Sequence, residues 1–172
     1  MTRDNQFTLK RLSSLDEKDC FDVFKAAYHN MDVPESEEGL FQNEFCHSMK
    51  QDTIYKVHFF GYMFENSIVS FAGIAQSLFM MNSWELRWDT THPDFQGRGL
   101  MSRLIDDRLD FAKEETLNMP GVIHVCSRRP SIYLHKGFEP VFERGPQNAS
   151  TYCVKKFNME HDKLGNDLNL HL

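Results

Sequence analysis

The sequence predicts a mixed α/β domain, on three observations. Residues 54–91 hold three successive runs rich in aromatic and β-branched residues, a helical stripe follows over 101–112, and Val122-Ile123-His124-Val125-Cys126 makes a short apolar run after it. Strand, helix and strand in that sequence form a crossover, so the strand ending near Thr91 should run parallel to the 122–126 strand. The three consecutive strands before the crossover should be antiparallel. Read along the chain, the element order is β-α-α-β-β-β-α-β-α-β-β, in a single domain over residues 1–157.

Each element has its own signal. Phe7-Thr8-Leu9-Lys10-Arg11-Leu12 alternates apolar and polar residues, as a half-buried strand does. Ser14-Leu15-Asp16-Glu17 reads as a capping box that opens a helix. Cys20, Phe24, Ala27, Tyr28 and Met31 recur along it at steps of three and four until Pro34 stops the pattern. Glu35, Glu37 and Glu38 start a second helix whose apolar stripe is Leu40, Phe41, Phe45 and Met49. That acidic run either complements the helix dipole on a wet face or attracts a cationic substrate. Glu65-Asn66 separates strands at 54–64 and 67–79 by a break short enough for a hairpin, and 84–91 is the next strand. In the helix after it, Met101, Leu104, Ile105, Leu109, Phe111 and Ala112 form the inner stripe, and Arg103, Asp106, Asp107, Asp110 and Lys113 cover the other side. A short helix at 131–136 leads to Gly137-Phe138, and strand signals return at 138–143 and 151–156. The tail at 158–172 is polar with isolated leucines and is expected to fray or pack loosely.

Composition narrows the function. The chain has 172 residues, 41% hydrophobic and 13% aromatic, which excludes disorder. That length buries roughly 70% of the unfolded surface in a core. No apolar run approaches the ~18 residues of a membrane span, and Met1-Thr2-Arg3-Asp4-Asn5-Gln6 begins no signal peptide. The expectation is a cytoplasmic protein with no membrane partner. Cys20, Cys46, Cys126 and Cys153 are widely spaced and the eight His are scattered, so neither a disulfide framework nor a metal is expected. A net charge of −6 argues against nucleic acid and favours a cationic acceptor. A phosphate-rich cofactor would then need local positive charge. Arg98 and Arg103 either supply it or form a solvated helix face.

The chemistry points to Thr90-Thr91-His92-Pro93-Asp94-Phe95-Gln96-Gly97-Arg98-Gly99-Leu100-Met101 and the Ser102-Arg103 that follow. Gly97 and Gly99 let the chain turn tightly, and the first amides of the helix behind them have no carbonyl partners. Those amides point outward at the positive end of the helix dipole, a phosphate cradle that needs no metal. A Walker A loop would require Gly-Lys-Ser/Thr, and a dinucleotide fingerprint a third glycine where Met101-Ser102 stand. Both fail. The segment instead resembles the acetyl-CoA pyrophosphate loop of the GNAT-type N-acetyltransferases, Gln/Arg-x-x-Gly-x-Gly/Ala, read here as Gln96-Gly97-Arg98-Gly99-Leu100-Met101. Met101 departs from the last position; it keeps the amide but crowds the approach. Ser127-Arg128-Arg129-Pro130-Ser131-Ile132-Tyr133-Leu134-His135-Lys136-Gly137-Phe138 is similar to the family's closing segment, and the element order is also the family's, over about residues 7–157.

The resemblance implies a GNAT-like mixed sheet whose parallel central pair splays into a cleft for acetyl-CoA as acyl donor. A primary amine, of a small molecule or a peptide, would attack the thioester directly in a ternary complex. Gln96, Gly97, Arg98, Gly99, Leu100, Met101 and Ser102 would hold the diphosphate. The amides of Asp89, Thr90 and Thr91 would face the thioester and pantetheine, with Ser127 nearest the position where the family often has Asn. Tyr133 takes the family's general-acid position: a phenol of pKa ~10 can protonate a thiolate whose conjugate acid is near ~8.5. The other reading of Tyr133 is an aromatic packing a helix on a sheet. Glu85 and Asp89 are candidate bases; four apart on a strand, they should share a face with Arg87 between them, or form a structural charge cluster with it. Trp84 and Trp88, with Phe41 or Phe45, either line an acceptor pocket or pack the core. Relatives commonly pair sheet edges, so a homodimer is admissible. The alternatives to an enzyme are a non-catalytic acyl-CoA-binding or sensing module and a general interaction domain. The acceptor itself stays open.

Overall fold

Glu65 and Asn66 both take positive φ, 48° and 69°, the geometry of a type I′ turn. The aromatic runs on either side of it therefore pair as adjacent antiparallel strands, β2 (Val57–Phe64) and β3 (Ser67–Gln76). Around this hairpin the chain adds β1 (Thr8–Leu12), β4 (Ser83–Thr91), β5 (Gly121–Ser127), β6 (Glu139–Glu143) and β7 (Thr151–Phe157). Together they form one seven-stranded sheet in the order β1-β2-β3-β4-β5-β7-β6. With α1 (Glu17–Tyr28), α2 (Glu35–Met49), α3 (Leu100–Glu115) and α4 (Ser131–Leu134), the succession is the one read from the sequence. The computed structural model describes residues 6–28, 35–50, 56–78, 80–143 and 150–158, with backbone alone at 35–38, 40 and 41. Met31, the tail beyond Asn158 and the side chains of Glu35, Glu37, Glu38, Leu40 and Phe41 lie outside the described residues.

Two apolar layers flank the sheet. On one face Leu104, Ile105, Leu109, Phe111 and Ala112 of α3 pack with Trp84, Leu86, Ile123, Tyr133 and Phe138. On the other, Phe24 of α1 and Phe45 and Met49 of α2 pack with Phe59 and Phe71. Local details differ from expectation at two places. The capping box is built by Ser13 instead of Ser14: Leu15 N–H donates to Ser13 Oγ at 3.3 Å, and Ser13 N–H donates to Asp16 Oδ2 at 2.9 Å. In β1 only Leu12 is buried, because this strand ends the sheet and its outer residues meet no second layer.

The crossover gives the parallel pair. Ser83, Trp84 and Glu85 of β4 align with Val122, Ile123 and His124 of β5, and the pairing stops there. Beyond Glu85 the two strands no longer pair, so their facing edges part toward their carboxyl ends. Gly121 sits at the closed end of this wedge. A Cβ there would overlap the Phe157 ring and lie 2.6 Å from the Asn82 carbonyl oxygen. Gly121→Ala is therefore expected to destabilise the fold by about 1–3 kcal/mol in denaturant unfolding, the usual range for overpacking; an unchanged midpoint would contradict it.

One irregularity decides which way β4 faces. Phe71 opposes Thr90 while Gly73 opposes Arg87, so two steps along β3 span three along β4. The extra residue is a β-bulge, and Trp88 carries its strain at φ 61°. Before the bulge, Trp84 and Leu86 face α3, so Glu85 between them faces the α1/α2 side. Arg87 reaches Glu44 of α2 at 2.5 Å. After the bulge, Asp89 turns to Arg108 of α3. Glu85 and Asp89 thus lie on opposite faces of the sheet, and the shared face expected from their spacing is corrected.

Candidate active site

The turn between β4 and α3 is open. Gly97 and Gly99 both have φ 74°, a region that glycine enters without strain, and a Cβ on either would meet nothing within 4 Å. The first helical bond runs from Arg103 N–H to the Gly99 carbonyl at 3.1 Å. The amides before it, through Leu100, Met101 and Ser102, therefore have no carbonyl of the helix to bond. Gln96 and Arg98 brace the turn from outside: Gln96 Nε2 donates to the Thr91 carbonyl at 3.3 Å and Arg98 Nη2 to the Asp94 carbonyl at 3.2 Å. Arg98 lies over the Phe95 ring at 4.9 Å, and Arg103 over Tyr62 at 4.7 Å. Arg98 is exposed and Arg103 half-buried.

Met101 does not fill the turn. Its side chain packs inward against the α3 layer, with Sδ 4.0 Å from Arg108 Nη2. Arg108 is fully buried, and its guanidinium is completely engaged. Nη1 donates to Asp89 Oδ1 at 2.5 Å and to the Gly73 carbonyl at 2.9 Å, Nη2 to Asp89 Oδ2 at 2.9 Å, and Nε to the Leu104 carbonyl at 3.0 Å. The Tyr133 hydroxyl donates to the same Asp89 Oδ2. Glycine turn, α3, β4 and α4 are in this way joined by one chain of contacts: Met101, Arg108, Asp89, Tyr133.

The packing of α4 places Tyr133. Phe138 N–H bonds back to the Tyr133 carbonyl at 3.1 Å and Gly137 N–H to the Leu134 carbonyl at 3.0 Å, with Gly137 at φ 77°. That is a Schellman cap, which requires a residue tolerant of positive φ where Gly137 stands. The Tyr133 ring meets Phe138 edge-on at 5.7 Å, and Lys136 pairs with Asp106 of α3. Tyr133 is 3% exposed. Burial first, and then the Asp89 charge, push its phenol well above the ordinary tyrosine range, while Arg108 opposes them. The hydroxyl is thus a firmly held proton.

The opposite face carries Glu85. Its carboxylate lies 3.9 Å from Arg87 Nε, and it faces His124 across the last paired position of β4 and β5. Burial pushes the His124 imidazole toward its neutral form, with Glu85 opposing. His124 stacks on Tyr152 at 5.6 Å, and Tyr152 on Phe142 at 5.0 Å. Trp84 and Phe45 are core residues, at 3% and 0% exposure. Trp88 is half-buried among Phe24 and Phe45, and its indole nitrogen is buried without a hydrogen bond.

The remaining candidates lie on the stretches of β4 and β5 that do not pair with each other. Thr90 and Thr91 are tied to β3 through Ser70, whose hydroxyl donates to the Thr90 carbonyl at 3.1 Å and pairs with Thr91 Oγ1 at 2.8 Å. Their other edge has no β5 partner. Ser127 ends β5 and accepts a bond from Arg129 N–H at 3.0 Å. Arg108 and His124 were not singled out in the sequence, although Arg108 is the lone charge at the i+4 position after Leu104 and before Ala112 on the apolar stripe.

The acetyltransferase (GNAT) family model matches residues 18–138. No curated protein matches the sequence significantly. Among solved structures, the PaiA N-acetyltransferase from Thermoplasma acidophilum in complex with coenzyme A is similar at 15% identity and TM-score 0.69, over 88% of this chain and 99% of that one. An acetyltransferase from Thermus thermophilus is 15% identical with TM-score 0.64, over 88% and 97%. A ribosomal-protein-alanine N-acetyltransferase from Escherichia coli is 16% identical with TM-score 0.64, over 96% and 99%. No helix among the described residues is long and apolar enough to cross a membrane.

Proposed function

Because the chain belongs to the acetyltransferase (GNAT) family, we propose that it transfers an acetyl group from acetyl-CoA to a primary amine by direct attack in a ternary complex. The observation that carries this reading is the open turn at Gly97 and Gly99, continuous with Tyr133 through Met101, Arg108 and Asp89. The residues fit a diphosphate. Unpartnered amides of residues 99–102 stand at the positive end of α3, side chains leave the turn clear, and Arg98 and Arg103 flank it. A similar fold is known in complex with coenzyme A. Acetyl-CoA supplies a thioester whose carbonyl is the electrophile. Asp89, Thr90 and Thr91 offer an unpaired strand edge toward it, and an amide there would stabilise developing oxyanion charge.

In this reading Tyr133 holds the proton destined for the departing sulfur. Burial keeps its hydroxyl protonated across the physiological range, the state a proton donor must be in. Glu85 is the proton acceptor for the amine. Asp89 is less suited to that role, since both its oxygens are occupied by Arg108 and one also by Tyr133. Glu85 stands on the α1/α2 side with the neutral imidazole of His124 across from it.

The test is a calorimetric titration with CoA, followed by a panel of primary amines assayed for free CoA release. Micromolar CoA binding and acetyl-CoA consumption with at least one amine are expected. Absence of CoA binding at millimolar concentration would sink the proposal. Gly99→Val is expected to raise the CoA dissociation constant about tenfold, because a residue bearing a Cβ loses about 1–2 kcal/mol in a left-handed conformation. An unchanged constant would remove the turn from the binding site. One observation favours a second reading, an acyl-CoA-binding module without turnover: the Tyr133 proton is bonded to Asp89 and the residue is 3% exposed. Clear CoA binding with no amine consumed would select it.

A further inference from the structure

A fully buried guanidinium on a helix stripe otherwise made of Leu104, Ile105, Leu109 and Ala112 is not explained by packing. An apolar residue of similar volume serves stability as well or better, because desolvating a charge pair offsets most of its attraction. Arg108 nonetheless commits four hydrogen bonds to fixing one carboxylate and two backbone carbonyls. The carboxylate so fixed, Asp89, is 16% exposed and accepts the Tyr133 hydroxyl proton. Asp89 Oδ2 is where the two meet, bonded by Arg108 Nη2 and by the Tyr133 hydroxyl.

We propose that Arg108 and Asp89 are positioning residues for the acyl transfer: the guanidinium pins the carboxylate, and the carboxylate fixes the Tyr133 oxygen and retains its proton until the sulfur departs. The inference rests on the reading of Tyr133 as proton donor. The step balances simply. As the carbon–sulfur bond breaks, the Tyr133 O–H bond breaks and an S–H bond forms. The phenolate left behind is met by the Arg108 charge; Tyr133 then takes a proton from solvent, and Glu85, on the other face, gives up to solvent the proton that it took from the amine nitrogen. Asp89 and Arg108 are needed together. Without Arg108, Asp89 would repel the phenolate; without Asp89, the hydroxyl would lose its acceptor.

The charged groups acting on Tyr133 are Asp89 from β4 and Arg108 from α3. The Cys153 thiol of β7, in the same layer, is pushed up by burial and stays neutral. Two variants separate positioning from structure. Asp89→Asn keeps an acceptor oxygen but removes the anion. Tyrosinate absorbance of the ligand-free protein, with Tyr133→Phe as the blank, should then show Tyr133 ionising at lower pH than in the wild type, because the Asp89 charge that raises it is gone and the Arg108 charge that lowers it remains. The double variant Asp89→Leu with Arg108→Met removes both charges, and its midpoint of unfolding should be close to that of the wild type.

With the fastest amine of the panel, the double variant should turn over at least about tenfold more slowly, with KM for acetyl-CoA within about threefold, as expected when a reacting group is misplaced and donor binding is intact. A folded double variant with wild-type kcat, or an Asp89→Asn variant whose tyrosinate titration does not move, overturns the proposal. Failure of the parent reading has a different signature. It appears as wild-type turnover in Tyr133→Phe itself, whatever the two positioning variants do.

Discussion

Tyr133→Phe is expected to lower kcat by about 10²- to 10⁴-fold, the range a positioned proton donor contributes. The substitution is conservative for the fold. The ring retains its edge contact with Phe138 at 5.7 Å, and the cap at Gly137 is built from backbone groups. What disappears is one hydroxyl, whose hydrogen bond to a carboxylate is worth about 1.5–3 kcal/mol at most. Asp89 Oδ2 keeps its bond to Arg108 Nη2, so no buried charge is left alone. CoA affinity should stay within a few fold, since the diphosphate site at Gly97 and Gly99 is formed by other elements. The informative comparison is kcat against the CoA dissociation constant. A variant with unaltered kcat would assign Tyr133 to packing; loss of CoA binding alongside kcat would mean that the α4 packing had failed.

The largest stability effect is expected at Phe45. It is fully buried, and its ring meets Phe71 at 5.5 Å, Phe59 at 5.6 Å and Trp88 at 5.3 Å. Phe45→Ala should cost about 3–5 kcal/mol in denaturant unfolding, from lost transfer energy and from the cavity left between α2 and the sheet. The position also supports the strained Trp88, at φ 61°. If the bulge depends on that support, the loss should reach Asp89 and depress turnover as well. A destabilisation under about 1 kcal/mol would show that the layer collapses around the gap.

Much of this arrangement was legible in the sequence because it rests on backbone chemistry. Gly97 and Gly99 announce a turn needing positive φ, and Gly137-Phe138 closing the short helical stretch 131–136 announces a capped helix end. The aromatic runs on either side of Glu65-Asn66 fix a hairpin register. The rest was hidden for physical reasons. A β-bulge between Phe71 and Gly73 leaves no mark in a sequence such as Arg87-Trp88-Asp89, so strict alternation assigned Asp89 to the wrong face. Arg108 had a usable signal, a charge lying on an apolar stripe, but periodicity by itself does not say whether such a residue bends away to solvent or finds a buried partner. Which carboxylate it meets depends on the bulge. Both facts come from one feature: without the extra residue in β4, Asp89 would not face α3.

The same extra residue sets a rule for how this chain can vary over time. Substitution along β4 changes one contact at a time, but removing a single residue between Arg87 and Thr90 would restore an even ladder and turn every side chain on one side of the gap inside out. Gly73 would then face a different neighbour, and the carboxylate that Arg108 was built to receive would point at α1 and α2. Length is accordingly under tighter restraint here than spelling, and natural insertions or deletions belong in the turns at either end of the strand.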